Sequence, residues 1–140
     1  MVSWNNLDTL SSYKELADVK PACLTEVMSG DNGAERVKNY SVPMAAGLSY
    51  NYASKQVNEN VLDALEKLAD EAQLADKFKA LYNGEVVNTG EKRLVLHHMT
   101  RGQLGDAVEA DGVDKRTFYK TQQERIAEFA NKVHNGEILS

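Results

Sequence analysis

Apolar positions recur at helical spacing over most of this chain. From Asn58 to Ala72, Val61, Leu62, Leu65, Leu68, Ala69 and Ala72 share one face, while Glu59, Asp63, Glu66, Lys67 and Asp70 lie off it. That pattern predicts an amphipathic helix. Asn58 suits the N-cap, because its side-chain oxygen can accept from the first unpaired N–H groups. Residues 3–18 carry Trp4, Leu7, Leu10, Tyr13, Leu16 and Ala17 at mostly three- and four-residue steps, which predicts one or two short helices. A further short helix over residues 76–81 is expected to bury Phe78 and Leu81 and to stop at Asn83-Gly84. Asn88 and Glu91 have capping-box spacing, with Asn in place of Ser or Thr; a helix from about Thr89 to Met99 is expected to follow. Asp114 is placed to cap a long final helix reaching Asn135. Phe118, Gln122, Ile126, Phe129, Ala130 and Val133 mark its buried side, and Gly136 is a natural C′ residue.

Breaks in this pattern are few. The chain has two prolines, Pro21 and Pro43. Ser29 to Gly33 reads as a turn cluster, and Gly102, Gly105 and Asp111-Gly112 as further turns. Between Val42 and Tyr52, Pro43 and Gly47 separate short Tyr/Val/Leu runs, the pattern of a small β-ribbon. The expected fold is mainly α: a helical, bundle-like domain with a small β-ribbon near residues 40–53, the whole of 1–140 forming a single helical domain.

Composition narrows the class. The 140 residues are 42% hydrophobic and 26% charged, ordinary for a globular domain long enough to bury a core. A formal charge of −5 and a pI near 5.2 argue against nucleic-acid partners and anionic membrane surfaces, which demand a basic footprint. The apolar runs are too short to span a bilayer. Asp8, Lys14, Glu15, Asp18 and Lys20 leave no secretory h-region in the first twenty residues. The one cysteine, Cys23, cannot form an internal disulfide and fits a reducing compartment. The expected setting is cytoplasmic.

Candidate chemistry is sparse. On the expected helix, Arg93, His97 and Arg101 stand at i, i+4 and i+8 and would line one stripe. Two guanidiniums and an imidazole could hold a phosphate or a carboxylate. Ion-pair networks that tie a helix to its neighbours use the same residues, and that structural role is the expected one. In the loop before it, Gly84 supplies a φ > 0 conformation, and the side chains of Asn83 and Asn88 suit backbone bonds in turns. His97-His98 is not a zinc motif, because adjacent helical residues diverge by about 100° and zinc needs three or four converging ligands. Cys23 paired with His97 or His98 is not distinctive; a lone Cys is expected to be a small buried apolar residue. P-loop, GxGxxG and GxSxG motifs are absent, and no cofactor or metal is expected.

Asn83 to Arg101, NGEVVNTGEKRLVLHHMTR, resembles a segment of the glucose-6-phosphate isomerase (phosphoglucose isomerase) family that reads Asn-Gly-Glu-x-Ile-Asn-x-Thr-Glu-x-Arg-Ala-Val-Leu-His-x-Ala-Leu-Arg. Asn83, Gly84, Glu85, Asn88, Glu91, Arg93, Val95, Leu96, His97 and Arg101 match. Gly90 replaces a Thr, Leu94 and Met99 replace Ala, and Thr100 replaces Leu. Ser49 to Val57 (SYNYASKQV) is similar to the family's Asp-Tyr-Ser-Lys-Asn-x-Ile segment. Asp31 to Ser41 (DNGAERVKNYS) is a looser version of Asp-Pro-x-Arg-Phe-x-x-Phe-Ser. Val108 to Asn135 resembles the long helix that leads into the family's catalytic domain.

The resemblance implies the N-terminal region of an enzyme that interconverts glucose 6-phosphate and fructose 6-phosphate in glycolysis and gluconeogenesis. The family's glutamate base, ring-opening histidine, glycine-rich sugar-phosphate segment and phosphate-binding loop come later in its chain than the point matching Ser140. None of them maps onto a residue here. The chain alone is therefore expected to be catalytically silent. Its implied partner is the catalytic domain of the parent enzyme. Apolar surface on the final helix and near Met99, once covered by that domain, predicts self-association, most simply as a two-fold homodimer. The rival expectation is a free-standing helical interaction module with an isomerase-like fold and no catalysis.

Overall fold

The computed structural model describes residues 2–102 and 105–138. It divides into two compact units: residues 5–73 form an N-terminal unit, and residues 74–138 with 2–4 form a C-terminal unit. Among the described residues there are six α-helices and three two-stranded antiparallel ribbons. The fold is mainly α with a small β-ribbon, as the sequence pattern predicts.

In the N-terminal unit, helices α1 (Ser11–Asp18) and α4 (Glu59–Glu71) pack together. The sequence predicts α4 within a residue at either end. Asn58 caps it, its Oδ1 accepting from the Val61 N–H at 3.0 Å. Along α4, Ala64 is buried, Val61, Leu62, Leu68 and Ala69 are half-buried, and Leu65 is exposed. Leu10, which precedes α1, has no polar side chain to cap it. Glu71 does so instead: its carboxylate accepts from the backbone N–H groups of Ser11 and Ser12 at 3.3 and 2.8 Å, and from both serine hydroxyls.

The ribbon falls where expected, with β1 (Ser41–Pro43) pairing antiparallel to β2 (Ser49–Asn51). An open groove of about 530 Å³ in this unit is lined by Val42, Tyr50, Tyr52, Lys55, Val57, Leu62 and Leu65. Between α1 and the ribbon the chain forms α2 (Leu24–Val27) and α3 (Gly30–Asn39). Here the expected turn at Ser29–Gly33 is corrected: most of it is the first turn of α3. Gly33 is required by contact, because a Cβ there would stand 2.4 Å from the Met28 carbonyl oxygen. From α3 the buried Arg36 reaches across to donate to the carbonyls of Ala53, Lys55 and Val57 at 2.8, 3.0 and 2.8 Å. Its guanidinium also lies over the Tyr40 ring, 4.0 Å from the centroid. Cys23 is exposed rather than buried.

The C-terminal unit starts with α5 (Leu74–Tyr82). Leu81 is half-buried as expected, whereas Phe78 is 63% exposed. Two hairpins follow, β3 (Val86–Asn88) with β4 (Arg93–Leu94) and β5 (Glu109–Ala110) with β6 (Val113–Asp114). The expected helix over 89–99 is thus overturned. Asn88 Oδ1 does accept from the Glu91 N–H, at 3.1 Å, the bond a capping box would make. It closes a hairpin turn instead, because Lys92 at φ 54° leaves the helical region and the chain returns as β4.

A 3₁₀ turn at His97–Thr100 then places Met99, fully buried, with Leu96 and Val108 in the core of this unit. Met99 is therefore interior, not the exposed apolar segment expected. Asp114 caps α6 (Lys115–His134), accepting from the N–H groups of Arg116 and Thr117 at 3.1 and 3.3 Å. The side of α6 expected to be buried is largely exposed: Phe118 is 46%, Ile126 67%, Phe129 59% and Val133 45% accessible.

Candidate functional site

Three segments of the C-terminal unit converge on one carbonyl, that of Tyr82. As the last residue of α5, Tyr82 has a C=O with no partner inside its own helix, and the dipole of the helix end favours a positive group there. Arg116, in the first turn of α6, meets that demand. It is 6% exposed, its Nη2 donates to the Tyr82 carbonyl at 2.8 Å, and its Nε donates to the Asp106 carbonyl. The guanidinium stands 5.5 Å from the Tyr82 ring centroid. From the 3₁₀ turn, His98 Nε2 lies 3.1 Å from the same carbonyl, and its ring stacks on Tyr82 with centroids 4.6 Å apart. A carbonyl can only accept, so Nε2 carries a proton.

Beside this knot is an open cavity of about 320 Å³ lined by Tyr82, His97, His98 and Arg101. The structure therefore brings His97 and Arg101 together, as the sequence suggests, though through a 3₁₀ turn and not through a helical stripe. Arg93 is not among the residues that line this cavity. It sits on β4 with its side chain 77% exposed, 3.8 Å from the Glu91 carboxylate. Its separation follows from the hairpin: a strand at 93–94 breaks the i, i+4, i+8 relation on which the stripe depended.

The loop residues before the turn make local contacts. Gly84 takes φ 74°, and a Cβ on it would meet Val108 Cγ1 at 2.2 Å. Both the backbone and the core forbid a side chain at that position. The Glu85 N–H donates to the Ala80 carbonyl at 2.9 Å and the Asn83 N–H to the Lys79 carbonyl at 2.8 Å, closing the end of α5. Asn88 and Glu91 close the hairpin.

Chemically, the cavity offers two imidazoles, a guanidinium and a phenol ring. Among the described residues no carboxylate lines it, and no group of three His, Cys, Asp or Glu side chains could hold a metal ion. Sequence reasoning missed Arg36 and Arg116, the two buried arginines that pin their units. Arg36 falls in the segment that resembles the family's Asp-Pro-x-Arg-Phe run, and that resemblance carries no sign that the side chain is buried. Arg116 had no signal beyond its place after a capping aspartate.

A family model described as phosphoglucose isomerase matches residues 51–139. Curated relatives cover nearly the whole chain. A glucose-6-phosphate isomerase of Treponema denticola is 44% identical over 98% of this chain and 27% of its own length. One of Borreliella afzelii is 42% identical over 100% of this chain and 26% of its own. One of Treponema pallidum is 43% identical over 98% of this chain and 26% of its own. The chain thus spans about a quarter of the length of the curated relatives it matches.

Proposed function

Because this chain belongs to the phosphoglucose isomerase family, we propose that it serves as the N-terminal, non-catalytic domain of a glucose-6-phosphate isomerase. The observation that carries this reading is a whole-chain match to only about a quarter of each relative. Interconversion of an aldose and a ketose phosphate requires a base between C1 and C2 and a fixed phosphate. In this proposal the remaining three quarters of such an enzyme supply both, and residues 1–140 supply a scaffold. The catalytic portion is then the partner of this domain, glycolysis and gluconeogenesis are its context, and the cytoplasm is its setting. Among the described residues no helix is long and apolar enough to cross a membrane.

On this reading Asn83, Gly84, Glu85, Asn88, Glu91, Arg93, His97 and Arg101 shape and dock the domain and take no part in a chemical step. The experiment has two arms. The chain, purified free of host isomerase, should not convert fructose 6-phosphate above background at any pH. Placed in the Treponema denticola enzyme in exchange for the segment it matches, it should support conversion. Turnover by the isolated chain, or a folded chimera without turnover, would overturn the proposal.

A further inference from the structure

In a 3₁₀ turn residues three apart eclipse one another, so the turn at His97–Thr100 stands His98 and Arg101 together while the buried Met99 anchors it in the core. The Arg101 N–H donates to the His98 carbonyl at 3.0 Å, and the Thr100 hydroxyl donates to the His97 carbonyl at 2.8 Å. The backbone that carries these side chains is thereby fixed, yet their polar ends are not spent. Among the described residues the Arg101 guanidinium forms no ion pair, and both His97 and Arg101 are exposed. His98 Nδ1 is shielded from solvent and has no hydrogen-bond partner. A shielded ring nitrogen left unpaired costs free energy that an incoming polar group recovers. The whole chain has a formal charge of −5, so this cationic corner is a local feature and not part of a basic face.

We propose that the cavity lined by Tyr82, His97, His98 and Arg101 binds a phosphate dianion, free or as the end of an organic monoester. Holding an anion adds no chemical step, so the site stands apart from the proposed function. The number of donors selects phosphate over carboxylate. A guanidinium fork engages two oxygens of either anion. That occupies both oxygens of a carboxylate, whereas a phosphate keeps at least one more for the imidazoles. His98 has turned Nε2 to the Tyr82 carbonyl at 3.1 Å, so Nδ1 is the ring nitrogen left to meet a ligand, and an imidazolium donates from it. The volume of about 320 Å³ falls within the roughly 300–1,000 Å³ of small-ligand sites, which leaves room for the organic part of a monoester.

The test follows the ring resonances of His97 and His98 in the 140-residue chain as inorganic phosphate is added at constant pH and ionic strength. Both should move along one saturable curve. Arg101→Gln, at an exposed position, should weaken binding at least about tenfold. Arg93→Gln removes an exposed guanidinium outside the cavity and should leave the affinity unchanged. Acetate should bind at least about tenfold more weakly than phosphate. A parallel titration with glycerol 1-phosphate identifies the source. Tighter binding than inorganic phosphate assigns an organic monoester, equal or weaker binding assigns the free anion, and either supports the site. Equal losses in Arg93→Gln and Arg101→Gln would reduce the effect to diffuse attraction and overturn the proposal. Ring shifts that do not saturate, or acetate binding as well as phosphate, would also overturn it. So would saturation in the isolated chain but none in the Treponema denticola chimera, which would give the cavity to a group of the remaining polypeptide.

Discussion

Glu71 caps α1 through Ser12, whose backbone N–H donates to its carboxylate at 2.8 Å and whose hydroxyl donates to the same oxygen. The last turn of α4 thus supplies the acceptor that Leu10 cannot, and helix pairing and helix capping become one interaction. The Ser12 hydroxyl and N–H hold the Glu71 carboxyl well below the usual range, from 4.5 to about 2. A carboxylate with a lowered folded-state pKa contributes stability above its unfolded pKa and loses it as pH falls through the folded value. The contribution should therefore fade between about pH 4.5 and pH 2. Glu71→Gln should lower the melting temperature at pH 7 and flatten its decline across that acid window. A variant with an unchanged acid profile would show that the cap is not formed in solution.

Arg36 should be the most sensitive polar residue of the N-terminal unit. Its removal orphans three carbonyls in the 53–57 segment, and its stacking on Tyr40 is lost as well. Hydrogen bonds to a charged donor contribute about 1.5–3 kcal/mol each, and unpaired buried acceptors add to the loss, so Arg36→Ala should cost at least about 3 kcal/mol. Lysine cannot reproduce the forked geometry, so Arg36→Lys should recover little. Denaturant unfolding followed by circular dichroism reads both. A loss below 1 kcal/mol would show that water replaces the pin at about the same free energy.

Gly84→Ala tests the core of the C-terminal unit. A positive φ and a Cβ overlapping Val108 act together, and overpacking with left-handed strain should cost about 2–4 kcal/mol. Val108→Ala relieves the overlap but not the strain. The double variant should therefore cost less than the sum of the two singles, and additive losses would place the whole effect in the backbone.

How much of this was legible follows from where local signals agree with packing. The cap and period at Asn58–Ala72 and at Asp114–Asn135 point to one answer, and α4 and α6 form where they predict. The same kind of signal fails at Asn88–Glu91, because a capping box and a hairpin turn use the same Asn-to-N–H bond. Lys92 at positive φ decides between them, and sequence gives no warning of that. α3 was hidden for a different reason: its first turn is built from Gly30, Asp31, Asn32 and Gly33, residues that favour turns by propensity. The exposure of Phe118, Ile126, Phe129 and Val133 shows a third limit. Periodicity identifies an apolar face without saying what covers it.

Arg93, from the expected stripe, and His98, beside it in sequence, should separate in a mutational test. His98 stacks on Tyr82 and bonds its carbonyl, so His98→Ala should destabilise the isolated chain by about 1–3 kcal/mol. Arg93, by contrast, is largely exposed, and among the described residues its guanidinium pairs only with the Glu91 carboxylate, at 3.8 Å. Exposed pairs at that separation contribute little, so Arg93→Ala in the isolated chain should stay within about 0.5 kcal/mol of the parent. A structural role for Arg93 must then be exerted on polypeptide outside residues 1–140. The same substitution in the Treponema denticola chimera should lower its melting temperature while leaving turnover per folded molecule unchanged. If the chimera keeps its melting temperature and loses turnover, Arg93 acts in the chemistry, and the assignment of these residues to scaffolding is wrong.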